Sequence, residues 1–116
     1  MAPTNVQLYA SGTCYGIGNN IQCQFTLNDG TQAKFMGAFS PPVPTFQSSS
    51  ILEYATANDL SGPSSFNQGA TVGPTYINLP LTTFTGAQIR ISGPLSSPIP
   101  QIYVISGSGR WSMSQD

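Results

Sequence analysis

Histidine is absent from the 116 residues, and charged side chains make up only 6% of them. Because histidine is the commonest general base, proton shuttle and metal ligand, its absence removes the usual centre of acid–base and metal chemistry. Of the four acids, Asp29 lies in a turn and Asp116 ends the sequence. Glu53 and Asp59 would form a glycosidase pair only if the fold held them about 5 to 9.5 Å apart across a cleft. We therefore predict that the protein is not an enzyme and has no catalytic residue, metal ligand or cofactor.

Positive charge is equally scarce, since Lys34, Arg90 and Arg110 are the only cations and the net charge is −1. Three dispersed cations cannot neutralise a run of phosphates or hold an anionic lipid surface. No apolar run approaches the length of a spanning helix, and residues 1 to 4 lack the basic and apolar regions of a signal peptide. We predict no nucleic-acid partner and no membrane insertion. The neutral, Ser- and Thr-rich composition favours an extracellular location without fixing it.

Neutral hydrogen-bonding side chains are abundant, because Ser, Thr, Asn and Gln together account for 42 of the 116 residues. Six Phe, five Tyr and one Trp supply the apolar surface that disordered chains lack. A chain of this length is near the commonest domain size and can bury one core. We expect a single β domain over residues 1 to 116.

Residues 21 to 37 alternate apolar and polar side chains on both sides of Asn28-Asp29-Gly30, which predicts a β-hairpin. A three-residue loop with Gly30 in the left-handed conformation pairs Cys23 with Phe35 and Phe25 with Ala33. That register leaves one face apolar and the other polar. The hairpin therefore predicts an antiparallel sheet that is buried on one side.

A second hairpin is predicted at Gly18-Asn19, a good two-residue turn that would set Cys14 opposite Cys23. Opposed cysteines at a non-hydrogen-bonded site lie at the short end of the range that a disulfide tolerates. Two readings stay open, a strained cross-strand bridge and two small buried thiols in contact. With a first strand starting at residue 5, the two hairpins give a three-stranded meander over residues 5 to 37.

The rest of the chain consists of short alternating segments separated by proline and glycine. The proline-rich stretches 39 to 46 and 94 to 100 are predicted to be connections, and residues 61 to 75 a long loop. Residues 50 to 60 fit either one short helix with a capping box or a strand. We expect Tyr76 to Leu79 to end at Pro80, Ile89 and Ile91 to point inward, and Ile102 to Ile105 to be a central strand. The fold class is all-β, an antiparallel β-sandwich or jelly roll of about seven to nine short strands with at most one short helix.

What remains after these exclusions is binding without catalysis. A sugar is neutral, rich in hydroxyl groups and apolar on one ring face, so its site needs polar side chains beside an aromatic ring. Two pairs next to glycine-rich loops offer this combination, and we predict ligand binding by Asn58, Asp59, Arg110 and Trp111. The second choice is the polar face of the hairpins, with Tyr15, Gln22 and Gln24.

The predicted function is that of a non-catalytic, lectin-like carbohydrate-binding protein that acts through several weak sites on a homo-oligomer. Few charges mean little like-charge repulsion between copies, and the candidate edge strands carry almost no Lys, so self-association is expected. The alternative is a structural or adhesive β subunit that assembles with itself and has no small ligand. Oligomers of defined size favour the lectin, and open-ended chains favour the structural subunit.

Overall fold

The computed structural model describes residues 8 to 114, which form antiparallel strands almost throughout. The start of the predicted first strand, the stretch 1 to 4 considered for a signal peptide, and Asp116 lie outside these residues. One three-residue 3-10 turn, Ala57–Asp59, follows a strand that ends at Tyr54, and the described residues contain no α-helix. The strands are β1 (Leu8–Thr26), β2 (Gln32–Tyr54), β3 (Gly62–Phe66), β4 (Thr71–Val72), β5 (Tyr76–Thr83), β6 (Gln88–Pro94), β7 (Tyr103–Val104) and β8 (Ser106–Ser114).

The hairpin at residues 28 to 30 has the predicted loop and register. Cys23 pairs with Phe35 and Phe25 with Ala33, and Gly30 has φ of 87°. The loop is closed by the Leu27 N–H, which donates to the Thr31 carbonyl at 2.8 Å. Hydrogen bonds from the Thr31 side chain and backbone also hold the pKa of the exposed Asp29 carboxyl below its usual value. The three-residue loop prediction is confirmed.

The chain turns back at Gly18-Asn19, as predicted. Gly18 has φ of 60° and Asn19 does not have positive φ, which excludes a type I′ turn and fits a type II′ turn with glycine at its first central position. The turn lies within β1, which also pairs with β2 along nearly its whole length and shifts register on each side of Gly18. Cys14 therefore has Ser48 as its partner on β2, and the predicted meander is part of a long two-stranded ribbon of β1 and β2 that is bent at this turn.

The two halves of β1 lie against each other, as the predicted hairpin requires. A methyl group on Gly12 would collide with the Gln24 carbonyl oxygen, so only glycine permits this close approach. Cys14 and Cys23 are both buried and unbridged, and the Cys14 thiol is a hydrogen-bonding neighbour of Cys23. The predicted proximity of the cysteines is confirmed, and in this structure they are two thiols in contact.

Five strands close into a barrel. β2 pairs with β8, β8 with β3, β3 with β5, β5 with β6, and β6 returns to β2 at Ile51 to Glu53. β2 takes part twice because its first half pairs with β8 and its last residues pair with β6. The all-β, antiparallel prediction is confirmed, whereas the sandwich or jelly-roll arrangement is not.

Two predictions that were based on proline are wrong. The stretch 39 to 46 is the middle of β2 and not a connection, although none of its three prolines pairs with another strand. Pro80 lies inside β5 and does not end it. Proline has no N–H to donate. At the edge of β5 that faces β3 and β4, however, the neighbouring chain needs only an acceptor, because the Asn67 N–H donates to the Pro80 carbonyl at 2.8 Å.

Two further segments differ from the prediction. Residues 61 to 75 are not one long loop, because they contain strand β3, which pairs with β5 and β8, and strand β4, which pairs with β5 and β7. The Ile102 to Ile105 stretch is a short edge strand, β7, and not a central one. Its apolar side chains at Ile102 and Val104 are 58% and 64% exposed. Ile89 and Ile91 on β6 point inward as predicted.

Aromatic side chains fill the part of the core between β1, β2 and β8. The ring of Trp111 lies 5.0 Å from that of Phe35 and 6.2 Å from that of Phe25, measured between centroids. The rings of Phe66 and Phe35 are nearly perpendicular, with their centroids 5.9 Å apart. The apolar faces predicted from the hairpin therefore pack on one another, and the polar faces are left for solvent and ligands.

Replacement of Gly30 by alanine is expected to lower the free energy of unfolding by about 1 to 2 kcal/mol, because a β-carbon strains a residue at φ of 87°. No atom lies within 4 Å of that position, so crowding adds nothing. Gly30→Asn is the matched control and should cost less, since asparagine tolerates this conformation. Urea unfolding measures both; equal losses for the two variants would contradict the backbone explanation.

The Cys23 thiol gives the fold an alkaline sensitivity. Burial, helped by the Cys14 thiol, raises the pKa of Cys23 well above its ordinary value. Above about pH 8.5 the unfolded chain loses this proton while the folded chain keeps it, so stability should fall as pH rises. Urea unfolding between about pH 7.5 and about pH 9.5 tests whether stability falls in this way. These limits lie about one unit on either side of the ordinary thiol pKa. Cys23→Ala should flatten the profile; an unchanged slope would exclude Cys23 as its source.

Candidate functional site

The four side chains predicted to bind a ligand do not share one exposed site. Trp111 is only 2% exposed, so its ring has no open face on which a sugar could stack. Arg110 precedes it on β8 and is exposed, because successive residues of a strand point to opposite faces. Asn58 is exposed on the 3-10 turn, whose last residue, Asp59, is buried.

Asp59 is occupied within the protein. One carboxylate oxygen, Oδ2, accepts from the Thr56 hydroxyl at 3.0 Å, and the other, Oδ1, accepts from Thr85 at 2.7 Å. Thr85 lies in the turn between β5 and β6, so the carboxylate ties the 3-10 turn to a distant turn. Both carboxylate oxygens of Asp59 are therefore engaged in hydrogen bonds that stabilise the fold.

Asp59→Ala should therefore destabilise the protein by about 1 to 3 kcal/mol, since it removes two hydrogen bonds to a buried carboxylate. Asn58→Ala, a change at an exposed neighbour, should stay within about 0.5 kcal/mol. Thermal or urea unfolding of the two variants provides the comparison. A loss of ligand binding by Asp59→Ala at unchanged stability would instead assign this residue to a site.

The polar face predicted as the second choice does form a concavity. Side chains from both halves of β1 and from β2 enclose about 220 Å³. Tyr15, 43% exposed, stands at its wall. The close packing of the two halves of β1 brings Tyr15 beside Gln22 and Gln24, seven and nine residues later in the chain. The polar lining is completed by Thr13 and Lys34, with Met36 as an apolar member.

Some polar side chains of this concavity are hydrogen-bonded within the protein, and others have donors or acceptors left for a ligand. The Gln24 Nε2 donates to Gln32 Oε1 at 3.0 Å, and that oxygen also accepts from Thr26 at 3.2 Å. This arrangement fixes the Gln24 amide and leaves its Oε1 and second N–H for an outside partner. Within residues 8 to 114, the side chains of Gln22 and Lys34 make no hydrogen bond or ion pair. The site therefore presents fixed and free groups of both donor and acceptor type.

Tyr15 also borders two further concavities. One, of about 100 Å³, lies beside Ile17, Asn20 and Gln22. The other, of about 220 Å³, is lined by Tyr15, by β2 and by the segment after β6. Its polar side chains are Thr45, Gln47, Ser96 and Ser97. Tyr15 is thus the common wall of three adjoining concavities, and we call this surface the Tyr15 groove.

The sequence predicts the side of the groove that contains Gln22 and Gln24, but not the side that contains Gln47 and Ser96. Gln22 and Gln24 follow from the hairpin alternation, which puts them on the polar face. Gln47 and Ser96 come together because the Ser96 N–H donates to the Gln47 carbonyl at 2.8 Å, next to a bridge between Ser48 and Leu95. Both segments adjoin proline-rich stretches, and no alternation pattern predicts that contact.

Among residues 8 to 114, no group of three or more His, Cys, Asp or Glu side chains is placed to hold a metal ion. Over the same residues, the structure has no helix that is long and apolar enough to span a membrane.

Comparison with known proteins yields a likeness in fold. No protein-family model matches the sequence, and no curated protein matches it. Among solved structures, the chain is similar to the virulence-associated protein VapB from the intracellular pathogen Rhodococcus equi, with a TM-score of 0.51. The match covers 92% of this chain and 96% of that one at 16% identity. At that identity the likeness extends to the β fold and not to a site.

Proposed function

We propose that this protein is a non-catalytic carbohydrate-binding protein whose ligand lies in the Tyr15 groove. The observation that carries the proposal is the half-exposed Tyr15 ring flanked by concavities with neutral amide and hydroxyl side chains. A pyranose has one apolar face for an aromatic ring and a rim of hydroxyl groups that both donate and accept. The groove offers the complementary groups in the same arrangement.

Charge supports a mostly neutral ligand. The groove has one cation, Lys34, and its lining contains no carboxylate. A phosphate-rich polymer requires several cations, whereas a sugar hydroxyl requires only a donor such as the Lys34 ammonium or the Gln22 amide. A single acidic group on a sugar would be accommodated by Lys34.

Affinity at one site should be weak, because each hydroxyl group exchanges water for protein at little net gain. The groove is shallow and open to solvent, so little apolar area is buried with the ligand. Useful avidity then requires several copies, which a homo-oligomer would supply. In this proposal each protein copy has one weak sugar-binding site, and a homo-oligomer presents several such sites at once.

Binding to a glycan array, competed by the free sugar, is the experiment that tests the proposal. Tyr15→Ala should lower the affinity at least tenfold, equivalent to about 1.4 kcal/mol. Tyr15→Phe should retain most of it, because the stacking face is kept. Tyr76→Ala is the matched control, since Tyr76 is 50% exposed and borders none of the three concavities. If no glycan bound, or if Tyr76→Ala had the same effect as Tyr15→Ala, the proposal would fail.

One observation favours the alternative, a self-assembling structural or adhesive subunit. β7 is at the end of the strand order and exposes Ile102 and Val104, and no Lys or Arg lies within five residues of either. An apolar edge without charge is a surface on which strands of two copies pair. Sedimentation velocity distinguishes the outcomes. Closed oligomers of defined size support the multivalent lectin, open-ended chains support the structural subunit, and a strict monomer at high micromolar concentration argues against both assemblies.

A further inference from the structure

The Tyr15 groove is longer than the site that one sugar ring needs. From Gln24 it crosses Tyr15 on the first half of β1, then Gln47 on β2, and ends at Ser96. Tyr15 and Gln47 are register partners, and Ser96 is hydrogen-bonded to the Gln47 backbone. The path spans about three strand spacings, or roughly 14 Å.

The two ends of the groove have equivalent chemistry. The first end presents Gln22 and Gln24, and the second presents Gln47 with Ser96 and Ser97. Each end encloses about 220 Å³ and lies against Tyr15. In the described chain the side chains of Gln47, Ser96 and Ser97 make no hydrogen bond. A site for one ring would leave the second end unused.

We infer that the ligand is an unbranched oligosaccharide of at least two or three units that lies across Tyr15. One ring stacks on the tyrosine, and the neighbouring units are hydrogen-bonded by the amides and hydroxyls at the two ends. The groove is open at the surface, so a chain can run through it without presenting its terminus. This inference rests on the proposed function and adds to it the class of ligand, which is an internal stretch of a linear glycan.

The test is a length series built from the sugar that the glycan array identifies, from one to six units, titrated by calorimetry. Affinity should rise at least tenfold from one unit to three or four and then level off. The double variant Gln47→Ala, Ser96→Ala should abolish most of that rise and should lower affinity for the single unit by a smaller factor than it lowers affinity for the longer chains. Gln101→Ala, at an exposed glutamine outside the groove, is the control and should change nothing.

The outcomes separate the two proposals. If no glycan binds, both the proposed function and this inference fail. If the single unit binds as tightly as the longest chain, or if the double variant leaves the length dependence intact, the second end is not a subsite and only this inference fails.

Discussion

The backbone ladder between β1 and β2 is the constraint on which the other features depend. It runs from Leu8 paired with Tyr54 to Thr26 paired with Gln32, and it shifts register only around Gly18. Because the ribbon is bent, its two halves pack on each other, and a glycine at position 12 is what lets the backbones meet. The same bend lets β2 pair with β8 through one half and with β6 through the other, so closure of the barrel follows from the folding of the ribbon.

The candidate site is a consequence of that packing. Tyr15 and Gln22 belong to one strand, yet they lie side by side because β1 folds back on itself. On the other side of Tyr15, the β2 half of the ribbon supplies Gln47. The groove therefore lies where both halves of β1, two parts of β2 and the segment after β6 meet, and main-chain hydrogen bonds hold these segments together. A site built on strands loses little conformational entropy when a weak ligand binds.

The sequence predicted well wherever side-chain alternation decided the structure, and less well where backbone geometry did. Alternation gave the register at Cys23 and Phe35, the inward Ile89 and Ile91, and the polar face with Gln22 and Gln24. It could not show that the first half of β1 would also pair with the end of β2, or that proline can occupy a strand where a neighbour needs only its carbonyl. The ligand-binding prediction for Trp111 rests on the glycine-rich stretch before it, but a period of two also fits an inward ring. The aromatic neighbours Phe25 and Phe35 become visible only in three dimensions.

The shortage of charge connects the fold to the proposed function. A surface of amide and hydroxyl groups is hydrated without strong fields, so it neither repels copies of itself nor attracts polyanions over long distances. Recognition on such a surface depends on short-range hydrogen bonds and on ring stacking, both of which act only after the ligand has been placed. Specificity must then come from the spacing of the polar groups around Tyr15, and strength from the number of sugar units and protein copies engaged at once. A linear glycan meets both requirements, because its repeat presents the same hydroxyl groups to successive positions along the groove.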